Sequence, residues 1–212
     1  MDNSWDSTWE TIYSERGHCN RYPSEAVITF IMRHFRTNDY NHRPKILELG
    51  CGTGPNLWFL AREGFEAYGI DGSKTAIRNA DKFLRKEGHT DVKLTIGDIA
   101  EISKNYPPVF FDAIVDGNCL QHNEFESMLS IVRQCQQLLK PGGAMYGRLV
   151  QTATDPTDNR ALDGWGYIRR TTLAETMEIF SPFPAVEINE SWQSWDNNSK
   201  WLKCWQVTAK KT

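Results

Sequence analysis

Apolar residues follow two different spacings in this chain, and the change falls at residue 45. Before it, they recur at the three- and four-residue spacing of helices, within residues 5–16 and again within 24–35. After it, short apolar runs alternate with amphipathic stretches, the pattern of strands connected by helices. The predicted strands are Lys45–Leu49, Glu66–Ile70, Val92–Ile96, Phe111–Val115 and Ala144–Val150. Because such crossover connections are right-handed, these elements predict a parallel sheet with helices on both faces.

The rhythm changes again after the fifth predicted strand. A polar stretch at residues 151–164 precedes a predicted helix at 172–180. Two further strands, at 185–195 and 201–209, are separated by a run of Asp, Asn and Ser that predicts a β-hairpin. We expect one domain over residues 1–212, made of a helical amino-terminal section (1–44), a sheet core (45–150) and a carboxyl-terminal section with a loop, a helix and the hairpin (151–212).

The composition narrows the class of protein. With 212 residues, 40% of them apolar, the chain is long enough to build one sizeable core. The formal net charge of −3 is unfavourable for binding phosphate backbones, so we expect no nucleic-acid partner. No apolar run approaches the ~20 residues that span a bilayer, so we expect no membrane association. The polar, acidic amino terminus is unlike a signal peptide.

The cysteines indicate a reducing compartment. They are an odd number, widely separated and without a C-x-x-C pair, at positions Cys19, Cys51, Cys119, Cys135 and Cys204. Such spacing is poor both for a disulfide framework and for a zinc site. We therefore predict free thiols in a cytoplasmic protein.

The candidate chemistry begins where the first strand ends, in the segment Glu48-Leu49-Gly50-Cys51-Gly52-Thr53-Gly54. Glycines at a strand-to-helix turn let the backbone approach a ligand, although any tight turn of this kind favours glycine. Dinucleotide-binding loops usually have the spacing G-x-G-x-x-G and direct a helix dipole at a pyrophosphate. Here the spacing is G-x-G-x-G, and the carboxylate of Glu48 would repel a pyrophosphate. The loop therefore favours a ligand with a cationic end.

Acidic residues also follow the next predicted strands. Asp71 can accept hydrogen bonds from both hydroxyls of a ribose; the alternative is a helix cap, for which Ser73 is better placed. Asp98 can meet an exocyclic amine while Ile99 packs on a ring face, and Asp116 ends the fourth strand. Because the carboxyl ends of parallel strands share one edge of the sheet, we expect these side chains at one crevice.

Taken in order, the segments ELGCGTG, GIDGS, GDI, FDAIVDGN and LLKPGGAMYGRLV resemble the motif series of class I S-adenosylmethionine-dependent methyltransferases. The resemblance covers residues 45–150 and, more loosely, the hairpin. It implies a Rossmann-like α/β fold: a seven-stranded, mostly parallel sheet with an antiparallel last strand and helices on both faces. It also implies that residues 1–44 form a helical cap over the cofactor S-adenosylmethionine, whose product is S-adenosylhomocysteine.

The same resemblance assigns cofactor-binding residues by position. The set is Glu48, Gly50, Cys51, Gly52, Gly54, Asp71, Gly72, Ser73, Asp98, Ile99, Asp116 and Gly117. Within it, the loop glycines would line the methionine portion, Asp71 would hold the ribose, and Asp98 and Ile99 would hold the adenine. Either Asp116 or the carbonyl of Gly117 would meet the amino group of the methionine portion.

The activity we expect is in-line methyl transfer to a small-molecule acceptor, such as a metabolite or a sugar-like compound. His122 is the candidate general base for a hydroxyl acceptor, although a lone histidine at a helix start is more often a half-buried structural residue. Candidate acceptor-binding residues are Tyr13, Tyr22, Asn118, Trp165 and Tyr167. We expect no metal, since the acidic residues of the fourth strand are committed to other roles.

Two other functions stay open. One is a non-catalytic S-adenosylmethionine-binding partner subunit with the same fold, and the other is a methyltransferase acting on a protein or peptide. A nicotinamide-dependent oxidoreductase is disfavoured by the loop spacing and by Glu48. The sequence does not distinguish O-, N-, S- and C-methylation, and no pattern in it fixes an oligomeric state.

Overall fold

The computed structural model describes residues 5–36, 42–152, 166–196 and 200–212. In chain order its helices and strands are α1 (Thr8–Ser14), α2 (Glu25–His34), β1 (Lys45–Leu49), α3 (Pro55–Arg62), β2 (Glu66–Asp71), α4 (Lys74–Lys86), β3 (Lys93–Ile96), β4 (Phe111–Asp116), α5 (Phe125–Leu138), β5 (Leu139–Val150), α6 (Leu173–Ile179), β6 (Ala185–Asp196) and β7 (Lys200–Lys210). Two short 3₁₀ helices, Ile99–Lys104 and Leu120–His122, follow β3 and β4. Of the described helices, none is long and apolar enough to span a membrane.

The strands form one seven-stranded sheet in the order β3-β2-β1-β4-β5-β7-β6. β1 to β5 pair in parallel, whereas β7 runs antiparallel to both of its neighbours, β5 and β6. The predicted mostly parallel sheet with an antiparallel last strand is therefore confirmed. The strand order reverses between β1 and β4, which makes the crevice beyond their carboxyl ends the topological switch point of the sheet.

Helices cover both faces of the sheet with apolar stripes. On one face, α2, α3 and α4 bury side chains such as Ile31, Leu57 and Leu84. On the other, α5 buries Val132 and Leu138. Each buried side chain of this size stabilises the fold by roughly 1.5–3 kcal/mol. The helices are thus held by packing along the sheet, and the loops at its carboxyl edge are left to form a site.

The start of β5 differs from the prediction. The Pro-Gly-Gly turn was expected to separate α5 from a strand beginning at Ala144, but α5 passes directly into a strand that begins at Leu139. The reason lies at the far end of the chain. The N–H of Gly142 donates to the carbonyl of Lys211 at 2.8 Å, and the N–H of Lys211 donates to the carbonyl of Gly143 at 2.9 Å. This pairing partner is remote in sequence, so local turn chemistry could not reveal it.

The first helix is also shorter than predicted. The apolar spacing indicated a helix over residues 5–16, whereas α1 spans Thr8–Ser14. Asp6 lies before the helix, and its carboxylate accepts the N–H of Thr8 at 2.9 Å, which satisfies a backbone donor at the helix start. Trp5 and Asp6 therefore precede the helix, and both lie at the carboxyl edge of the sheet.

Candidate active site

A cavity of about 680 Å³ lies at the carboxyl edge of the sheet, at the switch point between β1 and β4. Its volume is within the range of small-molecule sites, roughly 300–1,000 Å³. The loops after β1, β2, β3 and β4 and the amino-terminal segment all contribute to its lining. The predicted cofactor residues that line it are Glu48, Gly50, Cys51, Gly52, Asp71, Gly72, Ile99 and Gly117. The residues that the sequence grouped by motif are thus brought together by the fold.

The turn after β1 requires glycine at its cavity positions. Gly50 and Gly52 have φ of 59° and 52°, in the left-handed region that L side chains rarely adopt. A Cβ on Gly52 would come 2.8 Å from the hydroxyl oxygen of Tyr13. Gly54, predicted to line the site, instead begins α3, and a Cβ there would meet Ala80 of α4 at 3.2 Å. Gly54 therefore lies where the turn packs against α4, outside the cavity lining.

Asp71 connects the loops that follow β1 and β2. Its carboxylate accepts the N–H of Gly52 at 2.9 Å and the N–H of Ser73 at 2.8 Å. The side chain of Ser73 accepts the N–H of Ala76 and so caps α4, as the sequence suggested, but it lies behind the cavity wall. Burial raises the pKa of Asp71 above its usual value, against the two backbone donors, which lower it. The carboxylate is held in place at the cavity edge by backbone groups alone.

Glu48 is the most unusual acid of the site. It is 4% exposed, and its Oε1 accepts a hydrogen bond from the side-chain amide of Asn56 at 2.6 Å. Its Oε2 has no partner within the described structure. Burial raises its pKa to about 8; the bond from Asn56 lowers it, and the charges of Asp71 and Asp116 raise it further. A buried carboxylate oxygen without a partner fits a cationic group, because a cation would restore the ionised form.

The charge of the whole cavity agrees with this fit. Among the described residues that line it are the carboxylates of Asp6, Glu48 and Asp71, but no Lys or Arg. A pyrophosphate would therefore meet acidic side chains with no balancing cation. A ligand with an ammonium and a sulfonium group meets complementary charge.

Two predicted acids accept hydrogen bonds from the turns that follow them. Asp116 is fully buried, and its Oδ1 accepts the N–H groups of Cys119 and Leu120 at 2.7 and 3.0 Å. It therefore stabilises the turn after β4, and burial raises its pKa to about 6. The cavity is lined there by Gly117 instead. Asp98 caps the 3₁₀ helix by accepting the N–H of Ala100 at 2.9 Å, and it does not line the cavity. An Asp before a short helix satisfies its backbone donors in this way.

The amino-terminal segment covers part of the cavity. The ring of Trp5 lies so close to Gly72 that a Cβ there would be 2.5 Å from Trp5 Cδ2. α1 is attached to the start of α4 by Glu10, whose carboxylate accepts hydrogen bonds from the hydroxyls of Ser73 and Thr75. Neither Glu10 nor Asn56 was predicted, because Glu10 contacts residues far along the chain and the orientation of Asn56 depends on Ser24, 32 residues away. The predicted acceptor residue Tyr13 does line the cavity.

His122 lies in the cavity wall in a defined tautomer. Its Nδ1 is 2.7 Å from the carbonyl oxygen of Tyr167, which can only accept, so Nδ1 carries the proton. The ring meets Trp9 edge-on, with centroids 4.8 Å apart. Burial lowers the pKa of His122, while the contact to Tyr167 and the charge of Asp6 raise it. At neutral pH the ring is therefore neutral, and its Nε2 holds a lone pair.

The other predicted acceptor residues do not share one location in the structure. Tyr167 does not line the cavity: its hydroxyl donates to Glu124 at 3.0 Å, and its backbone contacts His122 and Asp6. Asn118 lines both the cavity and a neighbouring groove, and Tyr22 lines that groove. Trp165 lies outside the described residues. In the described part of the chain, no group of three or more His, Cys, Asp or Glu side chains could hold a metal, and the absence of a metal stays a prediction.

Comparison with known proteins agrees with the geometry. Residues 46–143 match a family described as a methyltransferase domain. The cypemycin N-terminal methyltransferase of a Streptomyces species is 28% identical over 134 residues, 58% of this chain and 49% of the relative. The ubiquinone biosynthesis O-methyltransferase of Methylococcus capsulatus is 32% identical over 102 residues, 48% of this chain and 41% of the relative. In both cases this chain spans less than half the length of the relative.

A solved structure shows the same fold. The Burkholderia thailandensis 1,6-didemethyltoxoflavin-N1-methyltransferase, with 1,6-didemethyltoxoflavin and S-adenosylhomocysteine bound, has a TM-score of 0.69 at 16% identity. The similarity covers 89% of this chain and 77% of that chain, and at this identity it shows the fold alone. The region matched by the methyltransferase domain family, residues 46–143, is a little less than half of the 212 residues, and the chain is similar to this family over that region. Fold, cavity and this similarity together support a class I S-adenosylmethionine-dependent methyltransferase domain with S-adenosylmethionine as its cofactor.

Proposed function

We propose that this protein binds S-adenosylmethionine in the cavity and transfers its methyl group to a small-molecule acceptor. The observation that carries the proposal is the partnerless Oε2 of Glu48 in an acid-lined cavity with no Lys or Arg among its described lining residues. When bound, S-adenosylmethionine supplies a methyl group on a sulfonium, which is already an activated leaving group.

The residues of the chain then bind and orient this group. Glu48 and the carbonyl of Gly117 would hold the cationic methionine end; a Cβ on Gly117 would be 4.0 Å from Glu48 Oε1, so the two lie together. Asp71 would accept the ribose hydroxyls with the lone pairs that its backbone donors leave unused. Ile99 and Trp5 would pack against the adenine. Fixed alignment of this kind accounts for a large part of the rate of a displacement, up to about 7–11 kcal/mol in favourable cases.

For a hydroxyl acceptor, His122 is the proposed general base. The carbonyl of Tyr167 fixes the proton on Nδ1, which leaves Nε2 to take the acceptor's proton. The pKa of His122, lowered by burial, keeps the ring neutral at physiological pH. An amine acceptor that binds unprotonated would need this base less, so the size of the His122 effect reports the class of acceptor.

The names of the relatives include both small-molecule and peptide acceptors. One is named for the amino terminus of cypemycin and another for an O-methylation in ubiquinone biosynthesis. The small-molecule proposal is favoured by the volume of the cavity, about 680 Å³, and by α1, whose Trp9 and Tyr13 line it. We also retain the cytoplasm as the proposed compartment, since all five cysteines are free thiols.

A tritiated-methyl transfer screen across metabolite extracts tests the proposal. We expect label to move from S-adenosylmethionine to an extractable small molecule. Label found only in protein or peptide fractions would support the alternative acceptor class. Saturable S-adenosylhomocysteine binding without transfer to any fraction would support a non-catalytic subunit, and binding of NAD instead would contradict the cofactor.

A further inference from the structure

A second groove, of about 640 Å³, opens beside the cofactor cavity. The two share Asn56, Gly117 and Asn118 in their linings. The register of β4 and β5 pairs Asp116 with Gly147, so the next residues along the strands, Gly117 and Arg148, come side by side. A molecule in the groove therefore lies next to the part of the cavity where Gly117 and Glu48 meet.

The floor of the groove is a polar part of the sheet. Tyr146 and Arg148 lie two residues apart on β5, so both side chains are on the same face. The register pairs them with Thr208 and Gln206 of β7, which also line the groove. Farther in, the same face is apolar and packs against α3 and α4. Polar side chains thus replace apolar ones only where helices no longer cover the sheet.

Two buried donors in this floor have no partner. Tyr146 is 3% exposed, and its hydroxyl makes no hydrogen bond within the described structure; the same holds for the buried Nε of Arg148. Buried polar groups are almost always paired, because leaving one unpaired is costly. A guanidinium has only donors to offer, and a phenol beside it can donate too. Their common ligand is a hydrogen-bond acceptor, and a guanidinium favours an oxyanion.

The charges around the groove agree. Arg33 of α2 lines it together with Arg148, and within the described residues neither arginine belongs to an ion pair. The buried carboxylate of Asp116 is near enough to Arg148 for the arginine's charge to lower its pKa. The pKa of the His34 side chain is lowered by burial and then by the charges of Lys210 and Arg33, while the charge of Glu187 raises it. Glu25 and Glu187 also line the groove and are exposed, as Arg33 is. Among the described lining residues, Arg148 is the charged side chain that is half-buried, so the floor of the groove is cationic.

Exposed aromatic side chains complete the lining. Tyr22 and Trp192 are 81% and 60% exposed, and both line the groove. Large aromatic side chains in solvent at a concave polar site provide apolar planes for a ligand. The groove thus has an anion-binding floor with aromatic planes beside it.

We propose that the methyl acceptor carries an oxyanion, a carboxylate or a phosphate, which binds in this groove against Arg148 and Tyr146. The atom that receives the methyl group then lies towards Asn118, at the junction with the cavity. This inference rests on the proposed methyltransferase function, because it assigns the substrate class of the same site. It makes Arg148 a specificity-determining residue.

The test is a titration of inorganic phosphate into the protein saturated with S-adenosylhomocysteine, followed by amide NMR. We expect saturable shifts at Asn118 and Gln206. Arg148→Met should raise the Kd for phosphate by about tenfold or more, since a hydrogen bond to a charged group is lost. Arg148→Lys, which keeps the charge but not the planar fork, should fall between the two. The matched control is Arg133→Met, an exposed position on α5 at the opposite face of the sheet, which should bind phosphate normally.

The variant Tyr146→Phe tests whether the hydroxyl of Tyr146 contacts the bound anion or is an unpaired group with no role in binding. If Oη contacts the oxyanion, the variant binds phosphate several-fold more weakly. No shifts in the wild type, or equal affinity in Arg148→Met and Arg133→Met, would overturn the inference even if S-adenosylhomocysteine binds normally. Failure of the wild type to bind S-adenosylhomocysteine would instead contradict the proposed function, and the same phosphate titration on the ligand-free protein would then test the groove by itself.

Discussion

Asn56 donates a hydrogen bond from its side-chain amide to Glu48 Oε1 at 2.6 Å, while its own Oδ1 accepts the N–H of Ser24 at 2.7 Å. The second contact fixes the orientation of the amide, so its NH₂ group must face Glu48. One oxygen of Glu48 is thereby satisfied, and the other is left without a partner. The start of α2 is thus linked through Asn56 to the acid at the base of the cavity, and the pKa of that acid is set by burial, this bond and the charges of Asp71 and Asp116.

The first prediction concerns stability and pH without ligand. The folded pKa of Glu48 is about 8, above the ~4.3 of an unfolded glutamate. In this pH range the unfolded state binds fewer protons than the folded state, so stability should fall as pH rises from about 5 to 8. Glu48→Gln cannot ionise and should lose less stability over the same window. Thermal unfolding across this pH range checks it, and parallel curves for the two proteins would contradict the burial of an ionisable Glu48.

The second prediction concerns Asp71→Ala. The substitution leaves the N–H groups of Gly52 and Ser73 without their acceptor, which should lower the free energy of unfolding by about 1–3 kcal/mol. Affinity for S-adenosylhomocysteine should fall by at least about tenfold, because a charged hydrogen-bond acceptor is lost from the site. Calorimetry and denaturant unfolding measure the two effects. Asp81→Ala, an exposed acid paired with Arg85, is the control and should leave affinity unchanged; wild-type affinity in Asp71→Ala would show that the ribose assignment is wrong.

The third prediction concerns His122→Gln. With a hydroxyl acceptor, kcat should fall by ~10²–10⁴-fold if His122 is the base, while affinity for S-adenosylhomocysteine stays the same. Because burial lowers the pKa of His122, the wild-type rate should decline only on the acid side of neutrality, where the ring becomes protonated. The variant should lack this acid limb. Unchanged turnover or an unchanged pH profile would leave His122 with a structural role.

The fourth prediction concerns Gly52→Ala. The added Cβ would come 2.8 Å from the hydroxyl oxygen of Tyr13, and φ is 52°. Gly17→Ala is the matched control, since Gly17 has φ of 63° with nothing within 4 Å of an added Cβ. Both should lose about 1–2 kcal/mol of stability from the left-handed backbone, but only Gly52→Ala should also weaken S-adenosylhomocysteine binding. Adding Tyr13→Phe should restore part of that binding; equal binding by both alanine variants would show that the contact with Tyr13 has no effect.

Apolar spacing was sufficient to predict the sheet and most of its helices. β1 was predicted with its observed ends because its buried run ends directly at the glycine turn. β5 was predicted five residues too short, since its first residues depend on Lys211. The 3₁₀ helix at Leu120–His122 was missed because three residues carry no period.

The site was predictable where position along the chain determines it. Glu48 and Asp71 lie at the carboxyl ends of β1 and β2, and Gly117 follows β4. Parallel pairing brings the carboxyl ends of these strands to one edge of the sheet. Sequence could not show that Asp98 and Asp116 also accept backbone N–H groups of the turns that follow them, and their cofactor roles stay predictions. The second groove was not foreseen, since it depends on how far α2 covers β5 and β7.

The measurement that tests the account most directly is a crystal structure of the protein grown with S-adenosylhomocysteine. We expect the ligand in the cavity between β1 and β4, with its ribose hydroxyls on Asp71 and its amino group within hydrogen-bond distance of Glu48 Oε2 or the Gly117 carbonyl. A cavity that stays empty at saturating ligand, or a ligand whose amino group lies away from Glu48, would contradict it.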